Sequence, residues 1–363
     1  MKNIVICGYH GFSNSGDEAL LWAMIDIIRK KSSDVHITVL SIHPDSTAKL
    51  YNVDSVYRYN LFKINKLFKK TDLFIFGGGS LLQDITSSRS LYYYIAILRL
   101  ALKNKVKVML YGNGIGPLSG ERNRRITSKC LNKVDLITLR DDLSDKLLSE
   151  IGVNTPKILI TADPAFTLHF DSLTAKPELL RGAGIPDGSK YAVIAVRPWK
   201  HSVQDFEGTV ATFCDELYEK YGIIPLFLPM QPKEDIPFSK AVISKMRTEG
   251  HIIESALDID DVFSLISGSE LAVGMRLHTL IYATTLGVPV IALSYDPKVT
   301  AFMQSINQPL CLDVESCSGN ELCDMLSELM SDLPKRREEL SQALCELRYK
   351  AEQNADLAVE LLK

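Results

Sequence analysis

The sequence predicts an α/β protein built as two doubly wound domains facing one central cleft. Three observations carry this. Short apolar, β-branched runs recur along the chain, each followed by a longer amphipathic or polar stretch, the pattern of βαβ units and parallel sheets. Within each run hydrophobicity is nearly continuous, as in strands covered on both faces. At 363 residues the chain is too long for one comfortable core and about right for two domains.

In order, the first half offers strands in NIVICGY (3–9), HITVLS (36–41), LFIFGGG (73–79), VKVMLYGNG (106–114), DLITLRD (135–141) and KILITAD (157–163). A second series follows in YAVIAVRP (191–198), IIPLFLPM (223–230), HIIESAL (251–257), ELAVGM (270–275) and PVIALSYD (289–296). The Pro- and Gly-rich stretch between Phe166 and Lys190 is the best linker. The expected division is therefore a first domain over 1–170, a linker over 171–190, a second domain over 191–333 and a charged closing helix over 334–363.

Composition excludes several classes. With 46% hydrophobic and 23% charged residues the chain has ordinary globular usage. Its net charge of −3 argues against broad nucleic-acid binding, which needs a positive field. Seven cysteines form no CxxC pair and no Cys/His cluster with zinc spacing, so no metal site is expected and a reducing compartment is. The apolar run near the N-terminus, Ile4 to Cys7, is too short for a signal peptide, and no run approaches the roughly 20 residues of a membrane helix. The expected location is cytoplasmic.

In an open parallel sheet, ligands bind beyond the C-terminal strand ends. There ELAVGM delivers Arg276 and His278 to the start of a helix that Gly287 and Pro289 terminate, PVIALSYD delivers Lys298, and YAVIAVRP delivers Arg197 with Trp199 beside it. Helix N-termini favour anions, so cations and an imidazole on one rim suit a small, heavily anionic ligand. In the first half, GYHGFSNSGDEAL offers Asn14 and Asp17 to hydroxyls, although Ser15 or Asp17 is equally a helix cap. GGGSLLQD adds Gly78, Gly79, Ser80, Gln83 and Asp84, GNGIGP adds Asn113, and LRDDLS adds Arg140 with Asp141 or Asp142 as a routine cap. None is a GxGxxG or Walker loop.

Two basic-aromatic segments, 57–70 and 91–107, read either as buried helix faces with solvated basic sides or as surfaces for an anionic membrane.

Taken together, SNSGDEAL, FGGGSLLQD, GNGIGP, LRDDLS, VRPWK, LPMQPKED and GMRLHTL…GVPVIALSYDPK resemble the polysaccharide pyruvyl transferase family, nearest to its CsaB type, which modifies secondary cell-wall polymers in bacteria with surface layers. The resemblance implies a GT-B-like fold of two Rossmann-like domains. It implies transfer of the enolpyruvyl unit of phosphoenolpyruvate onto two sugar hydroxyls, giving a cyclic ketal and phosphate with no cofactor. The implied acceptor is N-acetylmannosamine in a lipid-linked saccharide. Arg140, His278 and Lys298 match the family's donor-binding positions. With that chemistry, Arg276 and Lys298 are expected on the phosphate, Arg140 and Arg197 on the carboxylate, and His278 as acid and base. Asn14, Asp17 and the glycine loops would hold the acceptor, with Trp199 stacked on a sugar face.

Two other readings remain open. A nucleotide-sugar glycosyltransferase or epimerase of the same fold often carries a ribose-binding glutamate where this chain has Tyr282. A non-catalytic sugar- or anion-binding module would grip its ligand and release no phosphate.

Overall fold

A computed structural model describes residues 1–12, 14–85, 88–168 and 173–363. The chain forms two units, Met1–Leu168 with Glu346–Lys363, and His169–Cys345.

The first unit runs β1 (Lys2–Cys7), α1 (Ser15–Lys31), β2 (Val35–Ser41), α2 (Pro44–Tyr51), β3 (Asp54–Tyr57), α3 (Leu61–Phe68), β4 (Leu73–Gly77), α4 (Ser88–Lys103), β5 (Lys107–Asn113), α5 (Glu121–Leu131), β6 (Leu136–Leu139), α6 (Asp142–Glu150) and β7 (Lys157–Ile160), then a 3-10 turn at Pro164–Thr167. The second runs α7 (Pro177–Gly182), β8 (Tyr191–Ala195), α8 (Phe206–Tyr221), β9 (Ile224–Phe227), α9 (Pro232–Ile243), β10 (His251–Ile252), α10 (Ile259–Ser267), β11 (Ala272–Gly274), α11 (Leu277–Thr285), β12 (Val290–Ser294), α12 (Pro297–Ser305), β13 (Cys311–Asp313) and α13 (Gly319–Ser331). The last helix, α14 (Leu333–Leu362), has residues in both units.

Both sheets are parallel. Their orders are β3-β2-β1-β4-β5-β6-β7 and β10-β9-β8-β11-β12-β13. Each order reverses once, between β1 and β4 in the first unit and between β8 and β11 in the second. Such a switch point opens a crevice at the strand C-termini.

Strand alternation sorts the cores. Val5 and Cys7 face α3–α6 with Phe74, Phe76, Leu98 and Ile137, whereas Ile4 and Ile6 face α1 with Leu73, Met24 and Ile28. In the second unit Ile194, Val273 and Ile291 meet Phe213, Leu217 and Leu326 from α8 and α13. These strands are buried on both faces, which is why they read as unbroken apolar runs.

Three expectations need correction. Strands β3 and β13 were absent from the sequence reading; both are short edge strands with partly exposed residues, so neither makes an apolar run. Of the linker expected over 171–190, Asp171 and Ser172 lie outside the described residues. The rest is anchored structure: it contains α7, and Lys176 places its Nζ 2.5 Å from Asp261 Oδ1 while its backbone N–H donates to Ser264 Oγ. Finally, the closing helix expected over 334–363 is divided between the two units. From Glu346 onward it belongs to the first unit, where Ala355, Ala358 and Leu362 pack with Ile4, Met109 and Tyr111. Asn354, fully buried there, accepts from Thr161 Oγ1 at 2.8 Å and donates to the Ala162 carbonyl.

No helix among the described residues is long and apolar enough to cross a membrane.

Candidate functional site

The first unit's switch point is built by the loops after β1 and β4. Asn14, rather than Ser15 or Asp17, caps α1: its side-chain oxygen accepts from the Gly16 and Asp17 amides. Glu18 pins the loop, accepting from Gly11 N–H at 2.7 Å and from Tyr51 Oη at 2.6 Å. Relieved of capping, Asp17 packs its carboxyl against Gly79, where a Cβ would come within 3.2 Å of Oδ1; that glycine also has φ +69°. Burial first, and then the neighbouring Glu18, push the Asp17 carboxyl up to about 7.

Arg140 leaves β6 and is held inside this unit. Its Nη1 lies 2.6 Å from Asp163 Oδ2 and its Nη2 donates to Ser80 Oγ at 3.2 Å. Asp141, as expected, caps α6. A Cβ on Gly114 would fall 2.6 Å from Ser80 Oγ and 3.1 Å from Arg140 Nε, so only glycine lets β5 pass so close. Beside it Asn113 is fully buried, and neither atom of its side-chain amide meets a hydrogen-bond partner among the described residues. Such a group is costly unless something binds it. Asp84, expected to touch a ligand, clamps two loops together: it accepts from the amides of Ser119 and Gly120, from Ser119 Oγ and from Asn123 Nδ2. Gln83 is partly exposed on the same loop.

Sequence reasoning missed two residues here. Arg58 looked like part of a basic surface, yet it is buried, donates to the Gly8 carbonyl at 3.1 Å, and lies 4.5 Å from the Tyr93 ring and 5.1 Å from that of Phe12. Tyrosines on both sides of an arginine were the available signal. His10 is buried; burial first, then Arg58, push its pKa down to about 3, so it is neutral.

In the second unit, Arg197 follows β8 and Arg276 is the N-cap of α11 after β11, on either side of the switch point. The structure brings them together through two carboxylates that the sequence reading overlooked. Glu234 Oε2 lies 3.1 Å from Arg197 Nη2 and 3.4 Å from Arg276 Nη2, and Asp235 Oδ1 lies 2.7 Å from Arg276 Nη2. Both acids sit in the first turn of α9, where acidic residues ordinarily serve the helix dipole, so their sequence position looked routine. The guanidinium groups still retain a donor each: Nε of Arg197 and Nε of Arg276 are buried and meet no acceptor among the described residues.

His278 stands in the first turn of α11, its ring 6.2 Å from that of Tyr282. Lys298 stands in the first turn of α12, its amide capped by Asp296 at 2.9 Å. Trp199 packs on Tyr295 with ring centroids 4.9 Å apart and donates from Nε1 to Glu315 at 3.2 Å. Thus Arg197, Arg276, His278, Lys298 and Trp199 belong to the second unit, and Arg140, Asn14, Asp17, Gly78, Gly79, Ser80 and Asn113 to the first. Among the described residues no group of three or more His, Cys, Asp or Glu is arranged to hold a metal ion.

The polysaccharide pyruvyl transferase family matches residues 14–297. The amylovoran biosynthesis protein AmsJ of Erwinia amylovora is 22% identical, over 94% of this chain and 95% of its own length. Solved structures share the fold: UDP-GlcNAc 2-epimerase of Neisseria meningitidis bound to UDP-GlcNAc (TM-score 0.64, 17% identity, 100% of this chain and 99% of that one) and Anabaena Alr3699/HepE with UDP and glucose (TM-score 0.66, 12% identity, 100% and 99%). They establish a GT-B fold.

Proposed function

The chain belongs to the polysaccharide pyruvyl transferase family and is a pyruvyltransferase; from that premise we propose that it takes the enolpyruvyl group of phosphoenolpyruvate and bridges two hydroxyls of one sugar in a lipid-linked polymer precursor. The observation carrying this reading is the pair of buried Nε donors on Arg197, after β8, and Arg276, the N-cap of α11, which meet no acceptor among the described residues and are aligned by Glu234 and Asp235 of α9. Two fixed guanidinium donors, one of them at a helix N-terminus, suit a ligand with both phosphate and carboxylate.

Within the second unit, Arg276 and Lys298 hold the phosphate and Arg197 the carboxylate. His278 gives a proton to the methylene carbon, which becomes the methyl group, and the central carbon becomes electrophilic. One sugar hydroxyl attacks, the C–O bond to phosphate breaks, and the second hydroxyl closes the ketal. Of the two hydroxyl protons, one restores His278 and the other leaves with phosphate. Fixed cations at the departing phosphate supply much of the rate. In the first unit, Asp17, Asn113 and the Gly78–Ser80 backbone are the acceptor contacts. N-acetylmannosamine is the proposed sugar.

The nucleotide-sugar alternative has Tyr282 against it. That side chain is fully buried against Phe263, with ring centroids 4.6 Å apart, and has no carboxylate to offer a ribose.

Incubating the purified protein with phosphoenolpyruvate and a synthetic disaccharide tests the proposal. Phosphate release with a matching mass gain on the sugar is expected. Tight binding of UDP with neither product would overturn it.

A further inference from the structure

Between Tyr57 and Lys133 the sequence carries fifteen Lys or Arg and three Asp or Glu, whereas the remaining 286 residues carry twenty-six and forty-one. A protein of net charge −3 thus concentrates twelve positive charges in one stretch. The fold gathers that stretch, because α3, α4 and α5 all cover the same face of the first sheet. Asn104 at the end of α4 donates to Asn65 of α3, and Arg122 of α5 lies 5.9 Å from the Tyr92 ring of α4. Buried Arg58 belongs to the core and takes no part. On the outside, Lys63, Lys66, Arg99, Lys103, Arg122 and Lys129 are exposed and have no carboxylate partner among the described residues. An open groove of about 470 Å³ lies between α4 and α5, floored by Ile95, Leu100 and Ile126 and rimmed by Arg99, Lys103 and Arg122; no acidic residue lines it.

Exposed apolar residues accompany the charge. Phe62 is 83% exposed and Ile85 67%, Leu61 and Tyr59 are each 52%, and Tyr57 and Tyr92 also stand in solvent. Single exposed apolar residues need no explanation. These six come from a span of 36 residues, and all lie where β3 and β4 lead into α3 and α4. They share the C-terminal sheet edge that carries Asp17 and the Gly78–Ser80 loop.

We propose that the first unit docks on an anionic phospholipid bilayer through α3, α4 and α5. The apolar residues after β3 and β4 enter the headgroup layer, and the helix lysines and arginines meet lipid phosphates. Cations flanking aromatic and aliphatic side chains are what such an interface selects. A nucleic acid would use the cations, but Leu61, Phe62 and Ile85 add nothing to phosphate binding. The docking stands apart from the reaction proposed above; if both hold, it brings the acceptor-side loops to the surface where a lipid-linked substrate resides.

The test is co-sedimentation of the full chain with vesicles, in the absence of phosphoenolpyruvate and acceptor, so that it reads docking alone. Phosphatidylcholine vesicles are expected to leave the protein in solution. Vesicles of equal parts phosphatidylcholine and phosphatidylglycerol are expected to carry it down, less so as salt rises. Lys63→Glu with Lys66→Glu and Arg99→Glu should weaken this by at least about a hundredfold, and Leu61→Ser with Phe62→Ser should weaken it also. Both variants should keep the wild-type circular dichroism and its turnover of a water-soluble acceptor. Failure to sediment with anionic vesicles, equal retention on neutral ones, or undiminished binding by the charge-reversed variant would each overturn the proposal. Binding to a short RNA duplex that anionic vesicles do not displace would assign the surface to nucleic acid instead.

Discussion

Asp235 is almost wholly buried, holds Arg276 with one oxygen, and accepts from the Gln231 backbone at 2.8 Å with the other. Removing one member of a buried ion pair leaves an uncompensated charge, so Asp235→Ala should destabilise the protein by about 3 kcal/mol. Adding Arg276→Met should recover part of that loss, and a double-mutant cycle from urea unfolding measures the coupling. Activity should respond differently, because Asp235→Asn keeps a hydrogen-bond acceptor for Arg276 and is expected to retain more turnover than the alanine variant. Asp17 has the opposite sign. Its carboxyl is raised in the folded state to about 7, against 3.8 for an ordinary aspartate, so ionising it opposes folding. The native state then holds more protons than the unfolded chain between those two values, and stability falls as pH rises through that window. Asp17→Asn should therefore raise the melting temperature at pH about 8 and lose that advantage near pH about 3. A constant difference across that range would show that the carboxyl is not perturbed.

At the scale of elements, the sequence made the interior strands legible and the edges obscure. LFIFG and VIALS are covered on both faces, so burial imposed unbroken apolar runs. DSVY and CLD pair on one side only, and nothing required such a run of them. That the loops after β1, β4, β8 and β11 gather at the C-terminal edges of the sheets was equally readable, because parallel topology fixes the edge at which side chains emerge. What each side chain does there was not readable. Asn14 and Asp84, expected as ligand contacts, hold their loops by hydrogen bonds, while Glu234 and Asp235 looked structural and organise the arginine pair. Spacing along a chain does not say which of several polar atoms is already satisfied. Asp84 makes the point testable, since it ties the loop after β4 to the start of α5. Burial raises its pKa, but hydrogen bonds from Asn123, Ser119 and Gly120 outweigh this and hold the carboxyl below its ordinary value. The stability it lends is present above the unfolded pKa and is lost as pH falls through the folded one. Asp84→Ala should cost about 1–3 kcal/mol at neutral pH, and the gap from wild type should close in acid. Thermal melts of the two proteins at neutral pH and at about pH 2 would reveal it.

For the molecule as a whole, the consequential feature is that the first unit is discontinuous in sequence. Its sheet is complete by β7, yet the face bearing Ile4, Ile6, Met109 and Tyr111 is covered in part by residues some two hundred positions or more away, at the end of α14. Sequence alone could not assign that helix, since its amphipathic pattern suits either unit. The chain's two tryptophans allow the assignment to be tested, because Trp22 packs in the first unit and Trp199 in the second. Variants carrying only one of them report the unfolding of one unit each. Ending the chain at Cys345 removes Ala355, Ala358 and Leu362 from the core and leaves Thr161 and the Ala162 carbonyl without Asn354. Each large apolar side chain so lost is worth roughly 1.5–3 kcal/mol and each buried polar group left unmet about 1–3 kcal/mol. The Trp22 transition should therefore move to much lower urea, or vanish, while the Trp199 transition shifts far less. If truncation moved both transitions equally, the two units would be folding as one, and the final turns of α14 would not belong to the first alone.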